Sequence, residues 1–146
     1  MIKTIFIWVF GVLLLLQLIQ IKIPEVKKPD PGEEIKAPAK IMSMLKRSCY
    51  DCHSSETKIP WYGYIAPASW EVKSHIKDGR EWLNFQSWER YSEAEKQKRY
   101  KGIVKTIGFR MPMPMYLMAH EDAKLSRAER EEIKKWAQSH IVEEER

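Results

Sequence analysis

SCYDCH, residues 48–53, places Cys49 and Cys52 three positions apart, with His53 directly after the second cysteine. These are the only cysteines of the chain, so they act together or on a shared third group. Two thiols at this spacing can add to the two vinyl groups of a haem, and the histidine that follows can then reach the iron. The pattern therefore favours one covalently attached haem c, held by Cys49 and Cys52, with His53 as the proximal iron ligand.

Three other interpretations of the cysteine pair remain open. A thioredoxin-like dithiol follows a strand, and no strand pattern precedes Cys49. A structural zinc ion needs four ligands, and His75 or His120 could join the two cysteines. His75 otherwise fits a core position and His120 a surface position, and no second paired motif supports a zinc site. A disulfide across two residues would close a small, strained loop. Haem is favoured over all three.

Outside this motif, the sequence predicts an all-α chain. Apolar positions at helical spacing predict a helix over residues 38–47 that leads into Cys49, and a second helix over residues 67–77. Two S-x-x-E capping boxes mark the starts of two further helices: Ser92 with Glu95, and Ser126 with Glu129. Between these two helices, prolines predict an extended loop over residues 109–125.

This loop offers thioether ligands. Met111, Met113 and Met115 alternate with Pro112 and Pro114. Haem iron in electron-transfer proteins takes a sixth ligand from a methionine or a second histidine. Because alternate residues of an extended segment point to opposite sides, the three methionines are not expected to be buried together. We expect one of them to face inward and bind the iron.

Several aromatic residues follow the cysteine motif within PWYGYIAPASW, among them Trp61, Tyr62, Tyr64 and Trp70. Taken singly, each is as readily an ordinary core residue. Together they are expected to bind the cofactor as walls that exclude water from the porphyrin edge.

The first 21 residues are predicted to form a membrane anchor. Residues 4–21 carry no charge, and as a helix they would be about 27 Å long, close to the ~30 Å hydrocarbon core of a bilayer. No small-residue cleavage site follows, which favours an uncleaved anchor over a cleaved signal. Prolines at short intervals then predict an extended tether. The predicted units are therefore an anchor at 1–21, a tether at 22–37 and a haem-binding domain at 38–146.

Haem attachment of this kind is expected outside the cytoplasm. The predicted location is therefore a bacterial cytoplasmic membrane, crossed once, with the folded domain in the periplasm. This location conflicts with the lysines after the apolar segment, which the positive-inside rule would place in the cytoplasm. The cysteine motif is given more weight than the lysines. The net charge of +5 favours acidic redox partners, which Lys46, Lys58 and Lys105 could steer. No nucleic-acid recognition motif accompanies the charge, so nucleic acid is not an expected partner.

Three stretches in order, SCYDCHSSETKIPWYGYIAPASW, GREWLNF and MPMPMYLMAHEDAKLSRAEREEIKKWA, resemble the haem-binding-domain family of small membrane-anchored cytochrome c-like proteins. The resemblance implies a class I cytochrome c-like helical fold, with Cys49 and Cys52 as attachment points and His53 as proximal ligand. It also implies that Met111, in the first Met-Pro step, is the distal ligand. Because Met-Pro occurs twice, Met113 and Met115 stay open as alternatives.

We therefore expect a membrane-tethered monohaem cytochrome that passes single electrons and is not an enzyme. One alternative is a haem enzyme or a gas or redox sensor, in which the sixth ligand is easily displaced. Another is a haem-free thiol oxidoreductase that uses the two cysteines.

Overall fold

The computed structural model describes residues 1–23, 26 and 29–142. Part of the predicted tether, at residues 24, 25, 27 and 28, and the end of the predicted domain, at 143–146, lie outside the described residues. The described residues contain no strand, so the predicted all-α class is confirmed. They form seven α-helices: α1 Ile2–Leu16, α2 Ala39–Ser48, α3 Tyr50–His53, α4 Ala68–Trp82, α5 Glu93–Thr106, α6 Pro114–Ala119 and α7 Arg127–Gln138. Four 3-10 segments join them: Pro31–Glu33, Trp61–Tyr64, Phe85–Arg90 and Glu121–Ala123.

Both predicted capping boxes start the helices expected of them. Ser92 precedes α5 and Ser126 precedes α7, and each hydroxyl accepts a hydrogen bond from the amide three residues later. The glutamate at that position, Glu95 or Glu129, returns a carboxylate to the amide of the serine. Orphan donors at both helix starts are thereby satisfied by local sequence.

Two helix boundaries differ from expectation. α4 continues to Trp82, well past the predicted end at residue 77. Within the predicted extended loop, Pro114 opens the short helix α6 at the first helical position, where the missing N–H of a proline has no effect on the hydrogen-bond pattern. The expected extended loop is therefore interrupted by α6, and residues 109–112 before it form turns and bends.

The hydrophobic core forms where α5 crosses α7. Tyr100 and Ile103 on α5 face Ile133 and Trp136 on α7, and all four are buried. Their spacing of three residues gives each helix one apolar stripe. Leu45 of α2 belongs to the same core, so the helix that leads into the cysteine motif is fixed in position by apolar contacts.

The N-terminal helix is shorter than predicted. α1 ends at Leu16, and the side chain of Gln17 instead makes a reciprocal pair with the backbone of Ala66, donating to its carbonyl at 3.1 Å and accepting from its N–H at 2.9 Å. Trp70 donates to the carbonyl of Ile19 at 2.8 Å. The segment after α1 is thus bound to the beginning of α4.

Among the described residues, no helix combines the length and the apolar character that crossing a membrane requires. The predicted transmembrane span over residues 4–21 is therefore wrong. The predicted location, a single pass through a bacterial cytoplasmic membrane with a periplasmic domain, depended on that span and is wrong as well.

The C-terminal end of the predicted tether also packs against the helices. Ile35 is buried, and its N–H donates to the carbonyl of Phe85 at 2.8 Å. Tyr50 donates to the carboxylate of Glu34 at 2.8 Å. Packing of the folded unit therefore begins before residue 38.

Candidate functional site

A tight bend between α2 and α3 presents the cysteine motif. Cys49 lies in the bend with φ −126° and ψ −30°, and its carbonyl accepts from the N–H of Cys52 at 3.2 Å and from the N–H of His53 at 3.0 Å. This single turn brings both thiols and the imidazole to the wall of one cavity of about 260 Å³. The structure therefore brings together all three residues that the motif identified.

The walls of this cysteine cavity come from elements far apart in sequence. Leu45 and Ile133 contribute from α2 and α7, and Ile103 from α5. Trp82 and Phe85, near the end of α4 and just after it, supply aromatic walls. A mostly apolar lining with a few polar groups is typical of cofactor and ligand pockets.

His53 is oriented by the backbone of α4. Its Nδ1 lies 3.0 Å from the carbonyl oxygens of both Gly79 and Leu83. Because carbonyl oxygens only accept, Nδ1 carries the proton and Nε2 keeps its lone pair. Burial lowers the pKa of His53, an effect that the two carbonyl contacts oppose without reversing. His53 therefore provides a neutral imidazole with Nε2 free for a metal ion.

Close packing of α4 on α3 depends on Gly79. A Cβ added there would lie 2.7 Å from the carbonyl oxygen of Cys52. Any side chain at this position would push α4 away from the cysteine motif and so would separate His53 from its two carbonyl acceptors. This requirement for glycine was not identified from the sequence.

The two thiols are not activated nucleophiles. Burial, with the other thiol as a smaller cause, raises the pKa of Cys49 to about 12. Burial, with Asp51 as a smaller cause, raises the pKa of Cys52 to about 11. Both cysteines are free thiols. In a redox dithiol site the pKa of a cysteine is lowered, so this environment disfavours the thiol oxidoreductase alternative.

The zinc alternative gains no support from the structure. No cluster of three or more His, Cys, Asp or Glu suited to a metal ion occurs in the described part of the chain.

Two of the three candidate methionines reach the cysteine cavity. Met111 and Met113 are half-buried and line it. Met115 is 69% exposed and lines only a neighbouring cavity of about 280 Å³. The structure therefore favours Met111 and Met113 over Met115 as residues that could reach a bound group.

The predicted aromatic walls lie elsewhere. Trp61 is 76% exposed, because its 3-10 turn directs it to solvent. Trp70 donates its indole N–H to the segment after α1, and Tyr62 lines the neighbouring cavity. Within the described residues, none of these three lines the cysteine cavity. The sequence stretch that supplies the aromatic walls of the cysteine cavity is GREWLNF, which contains both Trp82 and Phe85.

A polar and aromatic cluster separates the two cavities. Tyr116, which lines both, donates to the carboxylate of Asp51 at 2.7 Å. Its ring stacks on His120 at 4.2 Å between centroids, and His120 Nε2 lies 2.8 Å from the hydroxyl of Tyr62. Asp51 and Tyr116 gave no separate signal in the sequence, because only the fold brings them together.

Comparison with known proteins identifies one family. The model of the Haem-binding domain family matches residues 11–139, which include the cysteine motif, the methionine segment and α7. No curated protein and no solved structure matches the chain. The match covers most of the chain and agrees with a cavity lined by two thiols, the imidazoles of His53 and His75, and two thioethers. The chain therefore belongs to the haem-binding-domain family.

Proposed function

We propose that this protein is a monohaem c-type cytochrome with a class I cytochrome c-like fold that carries single electrons. In this proposal Cys49 and Cys52 hold the haem through thioether bonds, His53 is the proximal ligand and Met111 is the distal ligand. The observation that carries the proposal is the orientation of His53: its protonated Nδ1 is held by the carbonyls of Gly79, in α4, and Leu83, just after it, which leaves the lone pair of Nε2 available.

The chemistry of the cavity fits a haem. Thiols, an imidazole nitrogen and a thioether are the groups that hold and ligate haem in c-type cytochromes. The lining is otherwise mostly apolar, as a porphyrin face requires. The hydroxyl of Ser48 is buried at the cavity wall and has no hydrogen-bond partner within the described residues, which leaves one polar contact for a group in the cavity.

Haem iron supplies one-electron chemistry and needs no acid or base from the protein. The residues of the chain then have three tasks. His53 and a methionine would ligate the iron, Trp82 and Phe85 would exclude water, and the two cysteines would prevent loss of the cofactor. A thioether ligand stabilises ferrous iron relative to a second histidine, so Met111 favours a raised reduction potential.

The proposed partners are redox proteins with acidic surfaces. Lys46, Lys58 and Lys105 are the lysines proposed to steer them, and the net charge of +5 supports an acidic partner. The proposed haem-binding unit keeps the predicted range 38–146 and adds Glu34 and Ile35, which pack against it, from the predicted tether at 22–37.

The test is the visible spectrum of the full chain, made in cells that have a c-type haem maturation system, beside a Met111→Ala variant. We expect a low-spin spectrum, a sharp α-band on reduction and a weak far-red ferric band that the variant loses. Met113→Ala is the matched control, and we expect it to keep the far-red band. A high-spin spectrum in the unmutated protein that shifts on adding carbon monoxide would refute the electron-carrier function. It would support the alternative function, a haem enzyme or sensor with an open site. Protein made in this way without any haem would refute both.

A further inference from the structure

We propose that Arg130 and Tyr116 are positioning residues that hold the methionine loop, residues 107–116, against the cysteine cavity from its two ends. The inference rests on the proposed methionine ligation of haem. It goes beyond that ligation because it assigns the closing of the loop to two residues outside the ligand set.

Arg130 holds the first end of the methionine loop. Its Nη1 donates to the carbonyls of Ile107 at 2.5 Å and Met111 at 2.6 Å, and its Nε lies 3.3 Å from the carbonyl of Leu125. One half-buried guanidinium thus joins the end of α5, the first methionine and the segment before α7. Only arginine offers several donors in a rigid planar group, so lysine could not reproduce this contact.

Tyr116 holds the second end. Its hydroxyl donates to Asp51, which lies between the two cysteines on α3, at 2.7 Å. This bond connects α6 directly to the element that carries the haem-attachment residues. Stacking of the Tyr116 ring on His120 restricts the ring itself, with an interplanar angle of 10°.

The loop depends on such contacts because its own backbone offers few hydrogen bonds after Met111. Pro112 and Pro114 have no N–H to donate. The N–H groups of Phe109, Arg110 and Met111 all donate to the carbonyl of Thr106, at 3.3, 2.9 and 3.1 Å. After Met111, the next N–H with a backbone acceptor outside the helix ladders is that of Leu117, beyond the end of the loop. A side chain that holds the carbonyl of Met111 therefore restricts the backbone from which its thioether extends.

Loss of either contact should shift the loop toward an open state. A hydrogen bond to a charged group changes such an equilibrium by roughly tenfold to a hundredfold. In the haem-loaded protein, an open loop would no longer hold the thioether at the iron, and an added ligand could then bind there. The rate at which carbon monoxide binds the ferrous protein reports this opening without measuring electron transfer.

The experiment compares the full haem-loaded chain with its Arg130→Met and Tyr116→Phe variants. Carbon monoxide binding should be at least about tenfold faster in both, with a weaker far-red ferric band and faster hydrogen exchange over residues 110–117. Arg127→Met and Tyr64→Phe, at exposed positions, are the matched controls and should behave as the unmutated protein. Asp51→Asn keeps an acceptor for Tyr116 but removes its charge, so carbon monoxide binding should accelerate less than in Tyr116→Phe.

Each outcome decides the proposal. If the unmutated protein shows the far-red band and a variant binds carbon monoxide at the unmutated rate, the role of that residue is refuted while methionine ligation stands. If the unmutated protein lacks the band and binds carbon monoxide at once, methionine ligation and the positioning role both fail. Tyr116→Phe removes one hydroxyl and keeps the ring, so it provides a test even where Arg130→Met does not fold.

Discussion

The contact between Gly79 and the cysteine motif gives the sharpest prediction for the fold. In a Gly79→Ala variant the new Cβ would lie 2.7 Å from the carbonyl oxygen of Cys52, and it would need a separation of 3.4 Å for ordinary contact. α4 must therefore move from α3 by roughly 0.7 Å. Overpacking of this kind costs about 1–3 kcal/mol, of which the better helix propensity of alanine offsets up to about 1 kcal/mol. We expect the free energy of unfolding to fall by about 1–2 kcal/mol.

The same movement affects His53. Its Nδ1 lies 3.0 Å from the carbonyl of Gly79, and a movement of this size would weaken or break that hydrogen bond. A less strongly held N–H makes the imidazole a weaker donor to the metal, which disfavours ferric iron. The reduction potential of the haem-loaded variant should therefore rise.

Urea denaturation of the haem-loaded protein and a potentiometric titration measure both effects. Gly108→Ala is the control, because a Cβ at Gly108 meets no atom within 4 Å and its φ is not positive. We expect the control to be neutral or slightly stabilised. Equal stabilities and potentials in the two variants would refute the view that the α3–α4 contact is tight and orients His53.

Two further predictions concern regions away from the cavity. The N–H of Ser126 and the guanidinium of Arg47 lower the pKa of Glu129 to about 2. Because this pKa lies below the unfolded value near 4.5, the ionised carboxylate stabilises the fold fully above pH ~4.5, and this stabilisation is lost as the pH falls toward 2. Glu129→Gln should reduce the free energy of unfolding at pH 7 by on the order of 1 kcal/mol and should make stability fall less as the pH is lowered. Thermal unfolding at a series of pH values would measure both effects, and an unchanged pH dependence would contradict the role given to Glu129. Gln17→Leu should accelerate hydrogen exchange at the amide of Ala66, which donates to the Gln17 side chain, and unchanged exchange there would show that the pair does not protect this amide.

Local features of the sequence predicted the parts of the fold that local interactions determine. Each capping box needs only a serine and a glutamate three residues apart, and both helices start where they should. The cysteine motif is equally local, since one turn of backbone after Cys49 brings Cys52 and His53 to the same wall.

Features that depend on long-range packing were not predictable in this way. Trp61 and Trp82 are both tryptophans near helical segments, yet Trp61 faces solvent and Trp82 lines the cavity. The difference arises because a Cβ at Gly102 would overlap the Trp82 indole, so the absence of a side chain there lets α5 accept the ring. Composition alone cannot place a residue on α4 opposite a glycine on α5.

The N-terminal segment shows the same limit. Its hydropathy indicated a helix through residue 21, but Gln17 finds two backbone partners at Ala66. The amide side chain satisfies the N–H and the carbonyl of Ala66, and this contact holds the segment after α1 against the start of α4 where hydropathy suggested a continued helix. Such a partner, 49 residues away, is not visible in a window of hydropathy.

The doubled Met-Pro step is where sequence and structure are most informative together. Sequence spacing could not choose between Met111 and Met113, and both line the cavity. Their backbones differ in what they bind: the carbonyl of Met113 accepts from Leu117 at the start of α6, whereas the carbonyl of Met111 is held by Arg130. Met113 is therefore the N-cap residue of α6, whereas Met111 lies on a segment that Arg130 connects to the end of α5 and to α7. If that attachment determines the ligand, Arg130→Met should weaken the far-red band more than Tyr116→Phe does, and the reverse order would point to Met113.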